Sequence, residues 1–290
     1  MNVGREGGPL VILAGAGRLP ALLADELTRR GRSHRILAFR GFAERDVCRR
    51  ADVVIDLLDV GRALGTMRDW GAAAVTLAGA VSRPSPTAAL GAFAYFRNRH
   101  ELDDILSRGD DHLLRGVVER LEARGFPVVG VHDIAPTLLA REGAYGRIRP
   151  GPEDEASMAV GLELLRDLSP HDVGQATVVA AGRVTAVEGP EGTDRMLDRA
   201  RRFSLRRPFG RPVVQAGVLV KAAKRGQDMR VDLPTIGPRT VENAARAGLR
   251  GIAIGAGSTL VLEEPRAIEI ADRLGLYLVG VPWLMEGDPA

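Results

Sequence analysis

Short aliphatic runs, most of them closed by glycine, alternate with amphipathic helical stretches along the first half of this chain. That rhythm leaves few folds open. Leu10–Ala14 is an unbroken apolar run between Gly8-Pro9 and Gly15, the composition of a strand buried on both faces. Gly15-Ala16-Gly17 leads into Leu19–Arg30, where Leu19, Leu22, Leu23 and Leu27 recur at helical spacing before Gly31 supplies a stop. His34–Phe39, Val53–Leu57 and Ala73–Ala78 repeat the strand pattern, and Val60–Trp70 the helical one. Such alternation buries a parallel sheet under helices packed on its faces. A Rossmann-like N-terminal domain is the expectation.

Ser82–Thr87 (SRPSPT) punctuates the pattern. Helical stretches follow near Ala88–Arg97, Leu102–Ser107 and Asp111–Arg124, with Asp110 or Asp111 as N-cap and Gly125 as stop. Pro127–Val131 is expected as another strand. The prolines and glycines of residues 136–152 suggest a linker. The second half restarts with a helix at Glu153–Leu168 and two β runs, Ala176–Ala181 and Val184–Val187, joined through Gly182-Arg183 as a hairpin. Helices at Thr193–Arg201, Pro238–Ala247 and Arg266–Leu274 alternate with strands at Val218–Val220, Ile252–Ile254, Leu260–Leu262 and Leu276–Val281. At 290 residues, and about 150 residues per domain, the expected organisation is a Rossmann-like domain at 1–135, a linker at 136–152 and a mixed α/β domain at 153–290.

Composition excludes several function classes. Aromatic residues are only 4% of the chain, too few for base-stacking platforms. The net charge of +3 is too small to call for a nucleic-acid partner. The dense basic run between Arg195 and Arg211 is either a solvated face or a contact for anionic headgroups or a phosphorylated ligand. A single cysteine, Cys48, forbids an internal disulfide and fits a reducing cytoplasm. MNVGREGGPL lacks the pattern of a signal peptide, and no apolar run approaches the ~20 residues of a membrane span.

The densest chemistry lies in VLVKAAKRGQDMRVDLPTIG, Val218–Gly237. Its aliphatic strand empties into Lys221, Lys224, Arg225, Asp228, Arg230 and Asp232, and Pro234 and Gly237 then fix the backbone. Cations hold phosphates, and two carboxylates on one loop invite a hard divalent ion; the plain alternative is a set of salt bridges. A second signal is Glu188-Gly189-Pro190-Glu191-Gly192-Thr193, where Thr193 either caps a helix or presents its hydroxyl to a phosphate beside Glu188. The third is Gly15-Ala16-Gly17, a phosphate-binding turn or simply a tight strand-to-helix connection. Pro20 stands where the dinucleotide fingerprint needs its third glycine. Gly255-Ala256-Gly257-Ser258 is best taken as a turn between strands. The histidines show no metal-ligand spacing, and H-E-x-x-H, C-x-x-C, G-x-S-x-G and the Walker phosphate loop are all missing from the sequence.

LAGAGRLPALLA, AVEGPEGTDRML and GVLVKAAKRGQDMRVDLPTIGPRTVENAARAGLRGIAIGAGSTLVLE together resemble the LpxI family, UDP-2,3-diacylglucosamine pyrophosphatases of lipid A synthesis. Ala16 stands where that family favours glycine, and Ala223 and Arg225 where it favours proline. The resemblance implies a Rossmann-like N-terminal domain and a family-specific C-terminal one. It implies magnesium-dependent hydrolysis to UMP and 2,3-diacylglucosamine 1-phosphate, with water directed at the phosphorus nearer the sugar. An aspartate of GQDMRVDLP is implicated as essential. Spacing does not separate Asp228 from Asp232, and Asp232 is favoured because Leu-Pro follows it. With the charged segments this gives Asp232, Asp228 and Lys221 as catalytic candidates. Asp232, Asp228 and Glu188 are the magnesium candidates. Gly15, Ala16, Gly17, Gly189, Thr193, Lys224, Gln227, Arg230, Thr235 and Gly237 are the candidates for substrate contact. A cytoplasmic homodimer touching the inner membrane peripherally is the matching expectation for partners and location. The competing functions are an NAD(P)-dependent reductase, suggested by the opening strand–glycine–helix turn, and a sugar-nucleotide or lipid-binding protein without catalysis.

Overall fold

The computed structural model describes residues 7–81, 110–204 and 216–283. The helices expected at 88–97 and 102–107, and the basic run beyond residue 204, lie outside them. The chain divides into two compact units, Met1–Pro136 with Asp228–Asp232, and Thr137–Gln227 with Leu233–Ala290.

The first unit is built on β1 (Leu10–Ala14), β2 (His34–Phe39), β3 (Val53–Ile55) and β4 (Ala74–Ala78), all parallel in the order β3-β2-β1-β4. β1 is buried along its whole length, as a central parallel strand must be. Helix α1 (Leu19–Arg29) buries Leu23 and Leu27. Helices α3 (Val60–Asp69) and α4 (Asp110–Glu122) bring Leu64, Met67, Val118 and Leu121 onto Val11, Leu13, Leu37 and Val75. Helix α2 (Arg45–Arg50) was not expected, because Val47 is its only buried residue and leaves no periodic stripe. The strand expected at Pro127–Val131 reduces to one parallel bridge, Val128 to Val75. Val131 instead opens the short helix α5 (Val131–Ile134).

The second unit holds a six-stranded mixed sheet in the order β5-β12-β10-β8-β6-β7. Its strands are β5 (Gly143–Ala144), β6 (Ala176–Ala180), β7 (Arg183–Val187), β8 (Val218–Lys221), β10 (Gly251–Gly255) and β12 (Tyr277–Val281). The two-residue strands β9 (Thr235–Ile236) and β11 (Leu260–Val261) pair separately. The edge strand β5 thus lies within the stretch 136–152 taken from sequence as a linker. β8, β10 and β12 are parallel, whereas β6 runs antiparallel to both β7 and β8. The β6–β7 hairpin turns one residue earlier than expected, through Ala181 and Gly182, both at positive φ. That is the geometry that matches the twist of a two-residue hairpin.

Helix α6 (Pro152–Leu168) covers one face of this sheet, setting Met158 and Leu165 against Val179, Val218 and Val220. Gly161 lets it come close: a Cβ there would stand 2.5 Å from a Val220 methyl. Helices α7 (Thr193–Ser204), α8 (Pro238–Arg246) and α9 (Glu264–Leu274) cover the other face, where Met196, Leu197, Val241 and Ile270 meet Leu219, Ile252 and Leu278. Burying both faces of β8 anchors the base of the charged loop that follows it. A fully buried Leu219 contributes about 1.5–3 kcal/mol to that anchorage.

Candidate functional site

In the second unit, the end of β7, the end of β8 and the start of β6 share one edge of the sheet, because β6 is antiparallel to both. Ala176 pairs with Lys221, and Thr177 with Val187. The carboxyl ends of β8 and β10 open on this edge, the usual side for ligands in α/β sheets. The charged residues here interlock. Lys221 donates from Nζ to Thr193 Oγ1 at 2.8 Å, and Thr193 donates to Glu188 Oε1 at 2.5 Å. The other carboxylate oxygen of Glu188 accepts the Gln175 N–H at 2.8 Å. Gln175 also accepts from the Ala222 N–H through its carbonyl, so one residue ties the end of β8 to Glu188.

Both ends of this chain of hydrogen bonds are buried: Lys221 and Glu188 are each 8% exposed. A buried ammonium and a buried carboxylate each carry a large desolvation cost unless paired and hydrogen-bonded. The Thr193 hydroxyl lets each satisfy the other without direct contact. The Thr193 bond uses one of the three Nζ protons of Lys221. Thr193 is the first residue of α7, so the capping role weighed for it is overturned: its hydroxyl serves Glu188 and Lys221 instead. Gly174 makes the arrangement possible, since a Cβ there would lie 2.2 Å from the Glu188 carbonyl oxygen.

The loop after β8 is tied by its own residues. Gln227, buried, accepts the Lys224 N–H at 2.9 Å through its side-chain oxygen. Gly226 takes positive φ to close the turn. Lys224 Nζ is paired with Asp172. Gly189 accepts the Gly192 N–H, Thr235 bonds the Leu233 carbonyl, and Gly237 precedes α8 and accepts from Val241.

Asp228–Asp232 packs with the first unit, where Val231 joins the hydrophobic core. Asp228 accepts from Arg230 Nε at 2.9 Å, from Nη2 at 2.7 Å and from the Arg230 backbone N–H at 3.0 Å. These hydrogen bonds outweigh partial burial and hold its carboxyl below the usual aspartate range. Arg230 also reaches Glu122 at 2.8 Å. Asp232 is half-buried, with its N–H donating to the Asp228 carbonyl. Among the described residues, no three His, Cys, Asp or Glu side chains gather as a metal-binding group.

The Gly15–Gly17 turn spends two of its amides within the first unit. Gly15 N–H donates to the Ala78 carbonyl and Ala16 N–H to the Ala80 carbonyl, at 2.8 and 2.7 Å. A Cβ at Gly15 would lie 2.6 Å from the Ala80 carbonyl oxygen. Close backbone packing explains that glycine, while Gly17 takes positive φ to enter α1.

Sequence reasoning missed Asp172, Gly174 and Gln175. Their importance follows from the antiparallel placement of β6 beside β8, which no local pattern announces. Gly174, two residues before a strand, was the one available signal.

Two family models match, the LpxI N-terminal domain over residues 9–138 and the LpxI C-terminal domain over residues 141–279. A curated relative from Caulobacter vibrioides, named UDP-2,3-diacylglucosamine pyrophosphatase LpxI, is 37% identical over 274 residues, spanning 94% of this chain and 97% of its own length. By both measures, this chain belongs to the LpxI family.

Proposed function

We propose that this chain hydrolyses the diphosphate of UDP-2,3-diacylglucosamine, releasing UMP and 2,3-diacylglucosamine 1-phosphate. The observation that carries this reading is the buried Lys221 at the carboxyl end of β8, held by Thr193 and Glu188, in a chain so similar to a relative of that name. Diphosphate hydrolysis needs positive charge placed where negative charge shifts as the leaving phosphoryl group departs. Lys221 supplies a cation whose position is set before substrate arrives. Asp232 is the carboxylate we assign to orienting and deprotonating water, on a loop whose backbone is held by Asp228. The reductase alternative loses support, because the Gly15 and Ala16 amides it would use already have acceptors.

Magnesium belongs to this reading in a reduced form. Among the described residues, no all-protein cage of three or more carboxylate or other metal-ligating side chains is present. Asp228 already receives three N–H groups from Arg230, and both Glu188 oxygens are engaged. Magnesium is commonly held by one or two carboxylates together with substrate phosphates, and Asp232, in the segment whose aspartate the family resemblance implicates, is the residue we assign to it. The ion, when bound, supplies charge neutralisation at the phosphoryl oxygens.

A diacylated substrate brings the protein to a lipid surface. Peripheral contact at the cytoplasmic face, and a homodimer, complete the proposal. Among the described residues no helix is long and apolar enough to cross a membrane. The test is incubation of purified protein with UDP-2,3-diacylglucosamine and magnesium in oxygen-18 water, followed by mass spectrometry. UMP and the sugar 1-phosphate, with the label in the latter, are expected, and chelator should stop their release. Intact substrate after prolonged incubation would reject the hydrolase reading.

A further inference from the structure

We infer that Glu188 is a positioning residue rather than a metal ligand: through the Thr193 hydroxyl it fixes the ammonium of Lys221 for its work on the diphosphate. This deepens the hydrolase reading and rests on it for the identity of the anion. The polarity of the hydrogen-bond chain is determined at both ends. Lys221 can only donate, and an ionised Glu188 can only accept, so the Thr193 hydroxyl must accept from the first and donate to the second. The 2.8 and 2.5 Å separations fit that assignment. Reversing the hydroxyl would aim its proton at the ammonium and leave the carboxylate facing an oxygen lone pair.

The carboxylate is committed on its other side as well. Oε2 holds the Gln175 N–H, and Gln175 in turn holds Ala222, the residue following Lys221. Glu188 therefore grips the end of β8 twice, once through the Lys221 side chain and once through the backbone. At 8% exposure, and with Gly174 pressed on its carbonyl, it is placed as an internal countercharge. A magnesium ligand at this position would have to give up one of these hydrogen bonds or share the oxygen that makes it. Bound substrate then meets a cation whose side-chain entropy is already spent, the preorganised state that makes electrostatic stabilisation effective.

A thermodynamic cycle tests the inference. Thr193→Val keeps the shape of the side chain and removes the hydroxyl. Glu188→Gln keeps the shape and removes the charge. Each should lower kcat/KM by about 10–100-fold, the scale of a sub-ångström to 1 Å misplacement of a catalytic group, and Thr193→Ser should recover most of the loss. In a Lys221→Met background, Thr193→Val should cost less than about 2-fold more, because it acts through a group no longer present. A further loss of about 10-fold in that background would overturn the inference, since Thr193 would then act on its own account. The magnesium concentration for half-maximal turnover should stay within about 2-fold in Glu188→Gln; a 10-fold rise would make Glu188 a ligand and overturn it too.

The same cycle read by calorimetric binding of UDP keeps the two readings apart. Wild-type protein that binds UDP but cleaves nothing would end the hydrolase reading. The relay would then be judged by whether the Thr193→Val penalty on UDP affinity vanishes without Lys221, as expected, or persists, which would refute it. Should Glu188→Gln fail to fold, the Thr193→Val and Thr193→Ser pair carries the test alone.

Discussion

The turns that leave β1 and β8 begin alike and end differently. Each follows a buried strand of a largely parallel array and is shaped by glycine. After β1, Gly15 and Ala16 give their amides to Ala78 and Ala80, and the glycine exists to let two backbones touch. After β8, the strand's last residue is itself a buried cation, joined through a hydroxyl to a buried carboxylate. The first turn is satisfied by its neighbours and asks nothing of a ligand at those two amides. The second holds charge out of water at a cost that packing alone does not explain. Retained buried charge is the better guide to chemistry than a glycine pattern beside a strand.

The comparison can be broken most forcefully at Asp232. Asp232→Ala should lower kcat by about 10²–10⁴-fold, the range for loss of a general acid or base. Its urea midpoint should stay close to that of the wild type, because the residue is half-buried on a loop. An active Asp232→Ala enzyme would move the water-directing role elsewhere. Next in size is Gly174→Ala, whose new methyl would collide with the Glu188 carbonyl 2.2 Å away. It should cost about 1–3 kcal/mol of stability, as overpacking does, and lower kcat/KM as Glu188 shifts. Unchanged kinetics in that variant would mean that the position of Glu188 does not matter to Lys221.

The smallest expected effect is on pH dependence. The Asp228 carboxyl is held low, first by its hydrogen bonds to Arg230. A depressed carboxyl stabilises the fold at pH above its unfolded value of about 3.9, and that contribution is lost as pH falls through the lower folded value. Asp228→Asn should therefore flatten the decline in stability below about pH 4 relative to the wild type, as read by urea denaturation at successive pH values. An unaltered acid limb would remove Asp228 from the ion pair's account.

Much of the framework was legible because periodicity and glycine stops speak directly about buried strands and helices. β2 was expected at His34–Phe39 and stands there, and the helix over Pro152–Leu168 departs by one residue at its start. α2 was illegible because one buried valine makes no stripe. Pro127–Val131 misled because a compact apolar run serves a bridge and a short helix equally well. Within the candidate site, Lys221, Thr193 and Glu188 could each be named from their segments and Thr193 set beside Glu188, but the hydrogen-bond chain that joins them to Lys221 could not be read. It depends on β6 lying antiparallel to β8, a pairing between distant stretches that carries no local signature. For the same reason Thr193 was weighed as a cap: its sequence context is that of a helix start, and only the fold brings Lys221 to its hydroxyl.

The claim that chemistry sits at the end of β8 and packing at the end of β1 is tested most directly by comparing Lys221→Met with Gly15→Ala in parallel. Both are read by kcat/KM for UDP-2,3-diacylglucosamine and by urea denaturation. Lys221→Met should lose about 10²–10³-fold in kcat/KM as a folded protein, the scale seen on removing one electrostatic donor from a reacting centre. Gly15→Ala should lose about 1–3 kcal/mol of stability with a far smaller change in kcat/KM. The reverse pattern, a catalytically competent Lys221→Met beside a stable but inactive Gly15→Ala, would contradict the account.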